Sequence, residues 1–136
     1  MSFEVFMQCF RGGQARGTSA ATVRDVFSNF ADDSEPNYWH LWYDNENGCR
    51  VRVTQREDEI QALTVHRPCA DARLWDSIFR VLQLGPWVLY FPAPNPPLLM
   101  ADPEHAKQLP DGMLEALGPV RQVRSGIEIL EIIRTS

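Results

Sequence analysis

His66, Cys69 and Asp71 fall within one stretch, VHRPCADARLW, and all three side chains belong to types that take part in nucleophilic chemistry. A thiolate attacks carbonyl carbons and disulfides, an imidazole can take the thiol proton, and a carboxylate can orient the imidazole. A helix N-terminus beside the thiol favours its ionised form through the helix dipole and the free N–H groups of the first turn. The pattern admits acyl or thiol chemistry, with Cys69 as nucleophile, His66 as base and Asp71 as orienting group. The same residues also describe plain architecture. Pro68 pushes the residue before it toward extended backbone, Asp71 suits the N-cap of a helix opening at Ala72, and cysteine is among the most often buried residue types. No glycine pattern for an oxyanion hole flanks Cys69. The architectural account is the stronger, and catalysis by this trio is the minor alternative.

A metal site is not expected. His66 and Cys69 supply two ligands at HxxC spacing, and Cys9, Cys49, His40 or His105 would have to come from elsewhere. Structural zinc is usually announced by two short-spaced pairs. The phosphate-binding and dinucleotide glycine motifs, the GxSxG elbow and the HExxH zinc motif are all absent, and no cofactor is expected. Three cysteines cannot all pair within one chain, and no CxxC occurs, so a disulfide framework is not expected.

The second group of interest is a surface. Tyr38, Trp39, Trp42 and Tyr43 crowd one predicted strand, whose side chains alternate so that about half the rings point away from the buried face. Exposed Trp and Tyr commonly anchor protein interfaces. Around them stand Asp32, Asp33, Glu35, Asp44 and Glu46, an acidic rim suited to steering a basic partner. Self-association of the hairpin, giving a homodimer, is a further use of the same surface. Pro94 and Pro97 have PxxP spacing, but between two predicted strands they are better read as a stiff connection.

Composition narrows the classes. The chain has 136 residues, 44% of them hydrophobic and 23% charged, which suits one globular domain over residues 1–136. Its net charge is −5, and its 13 basic residues are scattered along the chain, which disfavours a nucleic-acid partner. No apolar run is long enough to span a membrane, and MSFEVFMQCF has no basic start of the signal-peptide kind, so the expected location is the cytoplasm.

The elements that hold these residues follow from hydrophobic periodicity and punctuation. FEVFMQCF alternates as a strand. Val23, Val26, Phe27 and Phe30 make a helical stripe with Ser19 placed to cap it. YWHLWYDNENGCRVRVTQ reads as a hairpin turning at Asn47-Gly48. Its register stays open: a loop of two or four residues puts His40 and Trp42 beside Val51 and Val53, whereas one of three or five puts Leu41 and Tyr43 there. A second turn at QREDEIQ leads to the strand ALTVH, and a helix from about Asp71 to Gln83 buries Leu74, Trp75, Ile78, Phe79 and Leu82. WVLYF reads as a central strand and LLMA as a short one. Asp102-Pro103 opens a helix, a further turn carries Met113, Leu114 and Leu117, and SGIE has capping-box spacing before a C-terminal helix. The order predicts an α+β domain: a mostly antiparallel sheet of five to six strands, with three to four helices packed mainly on one face.

The segments FEVFMQCFRGG, YWHLWY, HRPCADARLWD, WVLYFP and SGIEI together resemble a group of small bacterial proteins, some of which act as immunity proteins beside polymorphic toxin genes. The resemblance implies a chain that binds and neutralises a basic partner protein, and it transfers no residue role. A protein-interaction module is the leading expectation. A small thiol-dependent enzyme using Cys69 and His66, and a small-ligand binder with a pocket between sheet and helices, are the alternatives.

Overall fold

The computed structural model describes residues 3–32, 34–94 and 97–136. Among the described residues ten strands form one mixed sheet, and four α-helices and a 3₁₀ turn pack against it. The strands are β1 (Glu4–Arg11), β2 (Gln14–Ala15), β3 (Thr18–Ser19), β4 (Ala31–Asp32), β5 (Tyr38–Trp42), β6 (Gly48–Arg56), β7 (Glu59–His66), β8 (Trp87–Tyr90), β9 (Leu98–Met100) and β10 (Val120–Gln122). The helices are α1 (Ala20–Phe27), α2 (Ala72–Leu82), α3 (Met113–Leu117) and α4 (Gly126–Arg134), with the 3₁₀ turn at Pro103–Gln108. The α+β class is as expected, but the strand number exceeds five to six. The excess comes from two-residue strands (β2, β3, β4) and from β10, pieces too short to show a period of two.

The spatial order is β10-β9-β8-β1-β7-β6-β5-β4, with β2 beside β1 and β3 beside β7. Every pairing is antiparallel except β10 with β9, so the sheet is mixed at that edge. The N-terminal strand lies in the middle, between β7 and β8.

Alternation along the strands separates two cores. Val5, Met7 and Cys9 of β1, Leu63 and Val65 of β7, Val51 and Val53 of β6, and Trp39 and Leu41 of β5 point to the face covered by α1, α2 and α4. Of the expected α2 stripe, Leu74, Trp75, Ile78 and Leu82 are buried there and Phe79 is only partly covered, while Val81 joins the buried set. Trp75 and Trp87 are among the largest fully buried side chains, a size whose truncation to alanine typically costs about 3–5 kcal/mol. On the opposite face a smaller cluster, Phe10, Val88, Leu98, Met100 and Leu109, is closed by the 3₁₀ turn and by Met113. The helices cover one face fully and only the β8–β10 end of the other.

The hairpin register is settled by its loop. Trp42 pairs with Gly48 and Leu41 with Cys49, leaving the five residues 43–47 between the strands. This odd length puts Trp39, Leu41 and Tyr43 on the core side. The turn is not made by Asn47-Gly48, as the dipeptide suggested: neither residue has positive φ, and Gly48 opens β6. Asp44 builds the turn instead, its Oδ1 accepting from the N–H of Glu46 and of Asn47, each at 2.8 Å. Ser19 likewise differs from expectation. It extends as β3 against Glu59, and its hydroxyl makes no cap bond to α1.

The other boundaries follow local rules. Asp71, Asp102 and Ser125 each accept a backbone N–H at their helix starts. Asp102-Pro103 opens a 3₁₀ turn where an α-helix was expected. Gly126, the first residue of α4, lies flat on α2: an added Cβ would sit 2.5 Å from the Trp75 carbonyl carbon and oxygen.

Candidate functional site

β7 ends at His66, and the chain leaves the sheet through Arg67, which takes φ 47. A non-glycine residue in that region is uncommon and is held there by its surroundings. Here the Arg67 N–H is tied to the Phe3 carbonyl at 3.1 Å. Pro68 and Cys69 then lead to Asp71, whose Oδ1 accepts from the Arg73 N–H at 2.9 Å and caps α2. The Arg73 side chain grips the same carboxylate through Nε and a terminal nitrogen, at 2.9 and 2.8 Å. These bonds, the side-chain ones first, pull the Asp71 carboxyl down to about 2. The Cys69 carbonyl accepts from Trp75 Nε1 at 2.9 Å, so the connection is pinned to the helix it precedes.

The proposed catalytic trio is not assembled. His66 Nδ1 donates to Glu4 Oε1 at 3.0 Å, and no hydrogen bond joins it to Cys69 or Asp71 among the described residues. Asp71 is committed to the cap and to Arg73. Cys69 instead shares a core with Cys49, which local spacing did not suggest. Both are free thiols, partly buried against the same core. Burial, the largest cause, and the neighbouring thiol push Cys49 up to about 12. That is the opposite of an activated nucleophile.

Tyr43 completes this nook. Its ring packs on Phe30 at 4.6 Å between centroids, and the Arg73 guanidinium lies 5.5 Å above it. Its hydroxyl is buried and has no well-formed hydrogen bond among the described residues; Ser77 Oγ nearby donates to the Arg73 carbonyl. Burial raises the phenol's pKa, with the two thiols adding to the effect.

On the sheet face that the helices leave open, Tyr38, Gly48, Cys49, Arg50, His66 and Arg67 line a surface cleft of about 440 Å³. Arg50 stacks over the Tyr38 ring at 3.6 Å and bonds Glu35 at 2.8 Å. Arg52 shares this face, since it pairs with Tyr38 across β5 and β6. Neither Arg52 nor Arg67 has an ion pair among the described residues. Phe6 and Tyr90, stacked at 5.3 Å, continue the open face toward β8.

Comparison of the chain with protein-family models, with curated proteins and with solved structures finds no match.

The aromatic group divides by strand alternation. Trp39 and Tyr43 are core residues, 3% and 6% exposed, and offer no contact surface. Trp42, at 58%, stands fully on the open face and Tyr38 partly so. Most of the acidic group is engaged locally. Asp32 Oδ1 accepts from the Ser34 N–H at 2.9 Å. Glu35 receives His40 and Arg50, each at 2.8 Å, and the His40 bond is the largest cause of its lowered pKa. Asp44 is occupied by the turn and by Asn47 Nδ2. Glu46 is exposed, and Asp33 lies outside the described residues. Among the described residues no group of three His, Cys, Asp or Glu side chains is placed to hold a metal ion. Among the described residues no helix is long and apolar enough to cross a membrane.

Sequence reasoning missed Cys49 and the arginines of β6. The signal was present in GCRVRV, whose alternation puts Arg50 and Arg52 on one face and Val51 and Val53 on the other. Knowing which face stays open required the helix packing.

Proposed function

We propose that the chain is a protein-interaction module that presents the open face of its sheet to another protein. The observation that carries the reading is the one-sided coverage of the sheet. α1, α2 and α4 bury one face, whereas the outer face of β5, β6 and β1 bears Trp42, Tyr38 and Phe6 beside Arg50 and Arg52, with Arg67 just past the end of β7. An exposed tryptophan and arginines are the side chains that most often anchor interfaces. The expectation of a basic partner rested on the clustered acids, most of which are bound to local donors. Arg52 and Arg67 are free of ion pairs among the described residues, so the contact we propose takes an acidic segment of its partner. In the immunity-type form of this reading, the partner is a toxin that is neutralised by being covered.

Capture from the native host with the intact chain and with a Trp42→Ala, Arg52→Glu variant tests the proposal. A stoichiometric protein held by the first and lost by the folded variant supports it. No such protein, or one held equally by both, overturns it.

The cleft beside Cys49 favours one second reading, a small ligand bearing a carboxylate or phosphate that Arg67 would receive. The thiol-enzyme reading, built on Cys69 and His66, lacks such support, because His66 is engaged by Glu4 and Asp71 by Arg73 and the α2 cap.

A further inference from the structure

The open face carries a cluster of nitrogen donors where β6 begins and β7 ends. Arg50 of β6 stands directly across from His66 of β7, and Arg67 follows His66 in the chain. All three line the cleft of about 440 Å³, together with Tyr38 and Gly48. Two of them are already held in place. The Arg50 guanidinium lies 3.6 Å over the Tyr38 ring, and one terminal nitrogen bonds Glu35 at 2.8 Å. Its Nε and other terminal nitrogen carry no hydrogen bond among the described residues. His66 gives Nδ1 to Glu4 at 3.0 Å, which leaves Nε2 for a further contact. Arg67 is exposed and has no ion pair among the described residues. Its backbone stands at φ 47, held by the bond from its N–H to the Phe3 carbonyl, and strained residues of this kind cluster at ligand sites.

We propose, resting on the small-ligand reading of this cleft, that it binds a phosphate monoester whose terminal oxygens are received by Arg67, Arg50 and His66 Nε2. A carboxylate has two oxygens in one plane, and a single guanidinium fork satisfies it. A phosphate monoester presents three terminal oxygens in a tetrahedral arrangement and carries close to two negative charges near neutral pH. Donors arriving from three residues fit the second shape. Arginine is also the side chain best suited to phosphate geometry, because its planar fork is preorganised and weakly hydrated.

The neighbouring carboxylates limit the affinity. Glu35 offsets the charge of Arg50, and Glu4 faces His66, so Arg67 supplies most of the attraction, with Arg52 on the same face. Inorganic phosphate by itself should therefore bind weakly, with a dissociation constant on the order of 1 mM.

The test titrates inorganic phosphate, methyl phosphate and acetate, each alone, into the isotopically labelled chain at neutral pH and constant ionic strength. NMR follows the His66 ring and the arginine side-chain signals. Both phosphates should give saturable shifts centred on Arg50, His66 and Arg67, and acetate should bind at least about tenfold more weakly. Arg67→Gln and Arg50→Gln should each weaken phosphate by about tenfold, since each removes a charge-assisted hydrogen bond. Arg16→Gln, in a pocket shared with Arg56 at the far end of β6, should leave binding unchanged. Acetate binding as tightly as phosphate at the same residues would overturn the phosphate assignment and leave the small-ligand reading standing. No saturable shift with any of the three anions would overturn both. Inorganic phosphate that binds where methyl phosphate does not would overturn the monoester, and so would undiminished binding in the folded Arg67→Gln chain. The dispersion of the amide signals confirms that each variant is folded.

Discussion

His66 Nδ1 lies 3.0 Å from Glu4 Oε1, across the pair of strands in which these two residues stand opposite one another. The register of β1 against β7 thus gives the imidazole a carboxylate partner 62 positions away in sequence, on the sheet face that the helices leave open. With side chains 32% and 44% exposed, the pair is a surface interaction. Glu4→Gln is expected to cost less than about 1 kcal/mol in urea unfolding. His66→Ala is expected to leave the alkylation rate of Cys69 at mildly acidic pH unchanged within about twofold. A fall of about tenfold or more would reinstate His66 as the base for that thiol.

Asp71 joins a cap and an ion pair in one carboxylate. Asp71→Ala should destabilise the chain by about 1 kcal/mol near neutral pH, while Asp71→Asn keeps the cap and loses the charge held against Arg73. The folded-state pKa is lowered from the ordinary 3.8 to about 2. The carboxylate's contribution is therefore complete above the ordinary value and lost as pH falls through the lower one. Denaturant unfolding of wild type and Asp71→Asn should differ most above about pH 4, and the gap should narrow toward about pH 2.

Gly126 marks where α4 meets the backbone of α2. A methyl group there would stand 2.5 Å from the Trp75 carbonyl and 2.7 Å from the Asp76 nitrogen, and backbone atoms cannot rotate aside. Gly126→Ala should cost about 1–3 kcal/mol, although alanine is the better helix former. Thermal unfolding checks this, and a stabilised variant would show that the two helices sit farther apart.

Gly48 supports the exposed Trp42 in a different way. An added Cβ would lie 2.6 Å from Trp42 Cε3, so Gly48→Ala must swing the indole off its strand. The cost should be modest, about 0.5–1.5 kcal/mol, because a side chain can move where backbone cannot. Near-UV circular dichroism should change, and capture of the partner should weaken, while the thermal transition stays cooperative.

Much of the frame was legible in the residues because the rules behind it act over a few positions. Asp71, Ser125 and Asp102 cap because their carboxylate or hydroxyl reaches the free N–H groups two or three residues on. The stripe of α2 is buried because its spacing matches the helical period. Asn47-Gly48 misled for the same reason, since Asp44 supplied a competing set of turn bonds. The aromatic strand was half legible: alternation guaranteed that the rings would divide, and a one-residue slip would have exchanged Trp39 for Trp42.

By itself, then, the sequence determined the class of the domain, its helix starts and the alternation of its strands, all of which are set by local sterics and hydrogen bonding. Which face of the sheet stays open, and which side chains meet on it, was decided only by tertiary structure. The bond of His66 to Glu4 and the packing of Cys49 and Cys69 against one core depend on strand order, loop length and register, and those are fixed by how the whole core packs. The imidazole that local spacing offered to a thiol was given by the fold to Glu4.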